Sequence, residues 1–182
     1  MKYKWWILVA IGLFVIGVVS GLATPPTITS LVSKEITALK DFSGILAPFK
    51  VTTVILIFIK NAVALLFSFA LSPIFCLVPI LTLTANGWLL ALVSSILVEE
   101  KSLGFVLAGL LPHGIIELPA LFMGEAAALS FGTMVMVALF KKEKRNLLSS
   151  NLKQNLRYLW IALALLLPAA IIETYITPLL AA

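Results

Sequence analysis

Long stretches without a charged side chain constrain this chain more than any other feature. The first, from Trp5 to Leu22, holds 18 residues with no acidic or basic group, and a transmembrane helix needs about 20 apolar residues. The whole chain is 62% hydrophobic and 12% charged, whereas soluble proteins are about 45–50% apolar and about 25% charged. A soluble core of this size could not hide so much apolar surface. We therefore predict an all-α, polytopic transmembrane helical bundle.

One membrane domain is expected over residues 1–182. The N-terminus, with Lys2, Lys4, an apolar run and Gly-Leu-Ala at 21–23, resembles a cleaved secretory signal. The run is long enough to cross a bilayer, so we expect an uncleaved first helix. Five spans are predicted at about 5–23, 51–71, 74–98, 121–140 and 157–177.

The most polar region, 25–50, separates the first two spans. Apolar residues recur in it at helical spacing, with charged residues on the other faces. This pattern predicts an amphipathic interfacial helix over 27–42. The alternative is an ordinary surface loop.

The run 102–140 is too long for one span and contains Pro112 and Pro119. Basic loops face the cytoplasm, so Lys2, Lys4 and the KKEKR segment at 141–145 place the N-terminus inside and the C-terminus outside. An odd number of crossings must then separate Glu99 from KKEKR. A re-entrant or proline-broken helix over 102–120 followed by one span satisfies this rule. A single long, tilted and kinked helix satisfies it too.

Polar side chains inside the predicted spans are costly, so each normally faces a partner or a cavity. Glu125 lies near the start of its span, where it faces either the outer interface or the interior. The predicted polar core comprises Lys60, Asn61, Asn86, His113, Glu117 and Glu173, with Glu125 as a further candidate.

Two segments echo each other: LLPHGIIE at 110–117 and LLPAAIIE at 166–173 match at six of eight positions. A proline inside a helix frees a carbonyl and kinks the helix, so Pro112, Pro119 and Pro168 are predicted helix breaks. Glu117 and Glu173 are expected to meet in one polar pocket. An isolated buried charge is too costly, so Lys60 is expected to pair with one of them.

His113 and Glu117 lie one helical turn apart on the same face. Three roles stay open for them: a structural hydrogen-bonded pair, a metal site with Glu173, or a proton or ion pathway. No cofactor is predicted, and a metal ion is a minor alternative. No nucleotide-binding, hydrolase or paired-histidine motif is visible, so an enzyme is not the favoured class. The single Cys76 is expected to be a small buried hydrophobe.

The segment PHGIIELPA at 112–120 resembles the P-H-G-x-x-E-L-x-A signature of the stage II sporulation protein M family. Asn61, the Asn-Gly pair beginning at Asn86, and IIETYITP at 171–178 are similar in order and spacing. Lys60 departs from the two consecutive asparagines typical of the family. The resemblance implies an all-helical integral membrane protein that acts as an anchor and scaffold, in spore-formers beside peptidoglycan-degrading partners. Members also occur in organisms that make no spores.

Two functions from different classes remain. The first is a membrane scaffold, assembling as a homodimer with cell-envelope partner proteins, in which small residues permit close helix packing. These are Gly124, Ala126, Ala127, Ala128 and Gly132. The second is a small-solute or ion transporter or channel that uses the polar core. The expected surroundings are the lipid bilayer, and the charge of +5 reflects topology, not nucleic-acid binding.

Overall fold

The computed structural model describes residues 2–25, 27–29 and 48–180. Helices account for nearly all of these residues, and no strand occurs among them, because a chain in lipid must satisfy its backbone hydrogen bonds within each segment. The long elements are α1 (Tyr3–Leu22), α2 (Val51–Leu71), α3 (Leu77–Glu100), α4 (Leu103–Phe140) and α5 (Leu148–Tyr175). A 3₁₀ helix (Lys142–Leu147) precedes α5, and a short α6 (Thr177–Leu180) follows it.

Five helical segments are long and apolar enough to cross a membrane. This confirms the predicted all-α architecture with about five spans. Helix α2 has the predicted bounds, whereas α5 begins about nine residues before the predicted position 157. That extra helix is polar but well packed: Asn155 is buried, and its amide donates to the Ser130 hydroxyl and to the Asn151 backbone and side-chain oxygens.

The predicted re-entrant hairpin at 102–120 is not formed. Those residues and the predicted span 121–140 make one continuous helix, α4, which is the long-helix alternative. Pro112 and Pro119 lie inside α4, and Pro168 lies inside α5, without ending either helix. Each proline removes a single backbone hydrogen bond, and transmembrane helices tolerate this loss. The 38 residues of α4 extend roughly 57 Å, so α4 is longer than a hydrocarbon layer about 30 Å thick and must either tilt or extend beyond it.

Helix α4 is the central element of the bundle and contacts every other helix named above. Residues 124–130 are buried on all sides, and most of them are small. At Gly132 a methyl group would overlap the backbone carbonyl of Ser72, so this glycine allows the α2–α3 turn to pack directly on α4. The small residues predicted to allow close packing therefore form the core of the chain itself.

The turn between α2 and α3 also holds Cys76, which is buried as predicted. Its thiol lies 3.6 Å from the Leu129 carbonyl oxygen and 3.6 Å from the Thr133 hydroxyl. Burial raises the pKa of the Cys76 thiol, which keeps it in the unreactive protonated form.

Helices α1 and α3 pack closely along their lengths. A methyl group at Gly17 would overlap the Thr84 carbonyl oxygen, and one at Gly87 would overlap the Phe14 carbonyl oxygen. Near the end of α1, the Trp88 indole donates to the Thr24 hydroxyl at 2.9 Å. Small residues thus allow the backbones of the two helices to touch. This close packing matters because the hydrophobic effect does not drive helices together in lipid.

The predicted amphipathic helix over 27–42 lies outside the described residues, apart from residues 27–29. The interfacial segment therefore stays a prediction.

We expect Gly17→Ala to destabilise the bundle by about 1–3 kcal/mol, because the added methyl group overpacks against a backbone atom that cannot rotate away. Gly12→Ala is the matched control, since a methyl group there meets nothing within 4 Å. Unfolding in mixed detergent micelles, followed by tryptophan fluorescence, measures both. Equal stability of the two variants would contradict the packing of α1 on α3.

Candidate functional site

A cavity of about 180 Å³ lies among helices α1 to α5. Helix α4 supplies seven of the residues around it, including two acids and the histidine, and α2 and α3 supply its amides. Its polar lining consists of Asn61, Thr82, Asn86, His113, Glu117 and Glu125. The remaining lining is apolar except for Gly114, which is typical of a binding cavity with a few convergent polar groups.

The outer part of the site joins α4 to α5. Donor atoms of His113, Glu117 and Glu173 all lie within 4.8 Å of one another, so the two glutamates of the LLPxxIIE echo do come together. The Nε2 atom of His113 is 3.8 Å from Oε2 of Glu117. That separation is too long for a hydrogen bond, so the two groups face each other across a gap.

Two side chains from other helices orient this pair. The Asn61 amide donates to Oε1 of Glu117 at 2.9 Å. On the far side of the imidazole, Nδ1 of His113 lies 3.3 Å from the Thr177 hydroxyl of α6. Each side chain is therefore held at one polar atom, Nδ1 of His113 or Oε1 of Glu117. The other polar atom of each, Nε2 or Oε2, faces the gap between the two residues.

The inner part of the site is built around Glu125, whose side chain is fully buried, with an exposed fraction of 0%. The Ser68 hydroxyl donates to its Oε2 at 2.6 Å, and Oε1 has no hydrogen-bond partner. Of the two positions that the sequence left open for Glu125, the structure selects the interior over the outer interface.

Two polar contacts connect α2 to α4 at a regular interval. Asn61 meets Glu117, and Ser68 meets Glu125, so contacts advance by seven residues on α2 and eight on α4. An advance in the same direction means that the two helices run parallel. Two helical turns therefore separate the outer and inner acids.

The other predicted residues are placed differently. Asn86 lines the cavity, but its amide donates to the Thr82 carbonyl oxygen of its own helix at 2.7 Å. Lys60 is exposed near the middle of α2, and among the described residues no ion pair joins it to Glu117 or Glu173. The expected ion pair is therefore not formed. Lys60 is not among the residues that line the cavity, whereas its neighbour Asn61 is.

Sequence reasoning missed Ser68 and Thr177. A single hydroxyl residue gives little signal by itself, although Thr177 lies within the IIETYITP segment at 171–178. Ser68 had one available signal, since it follows Asn61 by seven residues and so lies on the same face of α2.

The site offers acids, an imidazole and amide oxygens, and the hydroxyl groups of Ser68 and Thr177 lie beside Glu125 and His113. Carboxylates inside a membrane bind cations or protons, because an uncompensated charge there is too costly. The arrangement is therefore suited to binding a positively charged species.

Comparison with known proteins identifies relatives. The profile of the family described as stage II sporulation protein M matches residues 9–178. An uncharacterized protein of Methanocaldococcus jannaschii is 33% identical to the chain over 90 residues. The match covers 50% of this chain and 51% of that protein, so the chain spans about half the length of the curated relative. No solved structure matches the chain.

We expect Ser68→Ala to destabilise the protein by about 1–3 kcal/mol, since it removes the one hydrogen bond of a buried carboxyl group. Ser72→Ala is the matched control, because Ser72 is equally buried but donates only to the Phe69 carbonyl oxygen of its own helix. Detergent unfolding curves of the two variants provide the measurement. A smaller loss for Ser68→Ala than for Ser72→Ala would contradict the role of Ser68.

Proposed function

We propose a cation-binding function for this chain, which belongs to the stage II sporulation protein M family. In this proposal the protein binds a small cation in its intramembrane cavity and moves the cation along α4. The protein is a multi-pass membrane protein, and the cavity lies within its bundle of apolar helices. Transport or channel activity is the function class that this site favours.

The observation that carries the proposal is Glu125. Its Oε1 atom is fully buried and unpaired, and the residue lines the cavity. A carboxyl group placed there is stable only when it is protonated or balanced by a positive charge. Among the described residues no ion pair to a basic side chain involves Glu125, so a bound cation would supply the missing balance.

The charge of the cavity lining supports the same conclusion. Glu117 and Glu125 both line it, whereas no Lys or Arg is among the lining residues. Low-dielectric walls strengthen the field of these acids. The cavity therefore favours a cation over an anion.

Exposure falls from the outer acid to the inner acid of α4. The side chain of Glu117 is 29% exposed, whereas Glu125 is wholly buried. Eight residues of helix correspond to about 12 Å. A cation entering beside Glu117 would meet the second acid two turns deeper.

The orientation of this path follows from the loops. We propose that the N-terminus is cytoplasmic and the C-terminus lies outside, because KKEKR at 141–145 adjoins the end of α4 and basic loops stay inside. The mouth beside Glu117 then faces the outer half of the membrane, nearer the start of α4.

Cation binding should raise the thermal stability of the purified protein, by about 2.7 kcal/mol at a concentration 100 times Kd. We expect at least one member of a panel of monovalent, divalent and small ammonium cations to do so. Glu125→Gln should abolish the effect of at least one stabilising cation, since the amide keeps the shape but loses the charge. Glu143→Gln, in the exposed 3₁₀ helix, is the charge-matched control.

The same panel then defines a transport assay in sealed proteoliposomes. Uptake by the wild type that is lost in Glu125→Gln and kept in Glu143→Gln is the expected result. Absence of any stabilising cation, or equal stabilisation of all three proteins by every cation that stabilises the wild type, would overturn the proposal.

A scaffold that assembles as a homodimer is the second candidate, and Lys60 favours it. This cation lies near the middle of α2 on an exposed, otherwise apolar face. Charge at that depth normally faces a protein partner or a cavity. A second copy of the chain packed on this face of α2 would remove Lys60 from lipid.

Cysteine crosslinking in native membranes tests the dimer in a Cys76→Ser background. Val63→Cys lies one turn after Lys60 on α2 and is 57% exposed, whereas the control Val19→Cys on α1 is 59% exposed. We expect disulfide-linked dimers from Val63→Cys and few from Val19→Cys. Only monomers at both positions, with or without the added change Lys60→Met, would contradict this candidate.

A further inference from the structure

We infer that His113, Glu117 and Glu173 bind a divalent first-row transition-metal ion at the mouth of the cavity. The inference rests on the proposed function and names the class of cation that the outer part of the site takes. Three features of these residues carry it: their spacing, the way they are held, and their charge.

The spacing fits an ion better than a direct contact. Nε2 of His113 and Oε2 of Glu117 are 3.8 Å apart, too far for a hydrogen bond. Two ligands about 2.1 Å from a tetrahedral ion lie roughly 3.4 Å apart. A shift of a few tenths of an ångström would bring both atoms onto one ion. Glu173 lies close enough to join them, because one ligand atom from each of the three residues lies within 4.8 Å of the others.

The candidate ligands are held in the manner of metal ligands. Metal-binding histidines and carboxylates usually use their second polar atom in a hydrogen bond that orients the first. Here Nδ1 of His113 contacts the Thr177 hydroxyl, and Oε1 of Glu117 accepts from the Asn61 amide. Nε2 and Oε2, the two atoms left over, are the ones that face the gap.

The charge and atom types select the kind of ion. Two carboxylates and a neutral imidazole balance a charge of +2, and low polarity makes such neutrality important. An imidazole nitrogen suits zinc, copper, iron or nickel, and carboxylates also suit manganese, whereas calcium and magnesium prefer oxygen ligands alone. Three protein ligands would leave one position of a four-coordinate ion open, and two of the candidate ligands, His113 and Glu117, also line the cavity.

The test uses the full-length protein, purified in detergent without a histidine tag and stripped with a chelator. Zn²⁺ and Mn²⁺ are the probes, with Mg²⁺ and Ca²⁺ for comparison, and bound metal per chain is measured after desalting. We expect one Zn²⁺ or Mn²⁺ per chain. Because the chain contains one histidine, imidazole coordination in the X-ray absorption spectrum reports His113 alone.

Variants locate the ion. His113→Ala and Glu173→Gln should lose it, whereas Glu143→Gln in the exposed 3₁₀ helix should keep it. Thr177→Val and Asn61→Ala leave every ligand in place but remove the orienting contacts, so each should weaken binding about 10–100-fold. Weakening without loss in these two variants distinguishes an oriented metal site from a fold that has collapsed.

The outcomes separate this inference from the proposed function. Metal binding that survives His113→Ala, or a spectrum without a nitrogen ligand, would overturn the metal site. If Zn²⁺ and Mn²⁺ do not bind but another cation stabilises the protein in a manner that depends on Glu125, the inference fails while the proposed function stands. If no cation binds at all, both fail.

Discussion

The lack of water in the bilayer interior governs this structure, since every polar group there must find its partner within the protein. Backbone groups find theirs in helices, and the side chains of α4 find theirs on neighbouring helices. Asn61 and Ser68 of α2 reach Glu117 and Glu125 at an interval of two turns. The parallel packing of α2 on α4 thus gives each of the two acids one hydrogen bond and builds the walls of the cavity at the same time.

The two halves of helix α4 have different roles: one packs against the other helices, and the other holds polar residues of the site. Its second half is a run of small buried residues against which the other helices pack, and close packing makes that half rigid. Its first half is more exposed and holds Pro112, His113, Glu117 and Pro119. Glu125 lies where the halves meet, so its unpaired buried oxygen adjoins both the core and the cavity.

The outer site depends on α4 and α5 running in opposite directions. Contacts between Asn155 and Ser130 at one end, and between His113 and Thr177 at the other, show this arrangement. The two LLPxxIIE segments therefore approach each other near one end of the bundle, and their terminal glutamates converge. The glutamates of the two repeated segments meet in space only because α4 and α5 are antiparallel.

The sequence by itself determined that the chain lies in a bilayer, that it is all-helical and that it has five spans. It also identified the residues that are too costly to face lipid. All of these follow from the length of the apolar runs and from local charge. It left the 102–140 run open between a hairpin and one long helix, since proline weakens a helix locally while neighbouring helices decide whether it ends. Only the tertiary structure placed Glu125 in the interior and turned Lys60 outward. Both outcomes depend on the rotation of each helix about its axis, which packing between distant segments sets and local sequence does not.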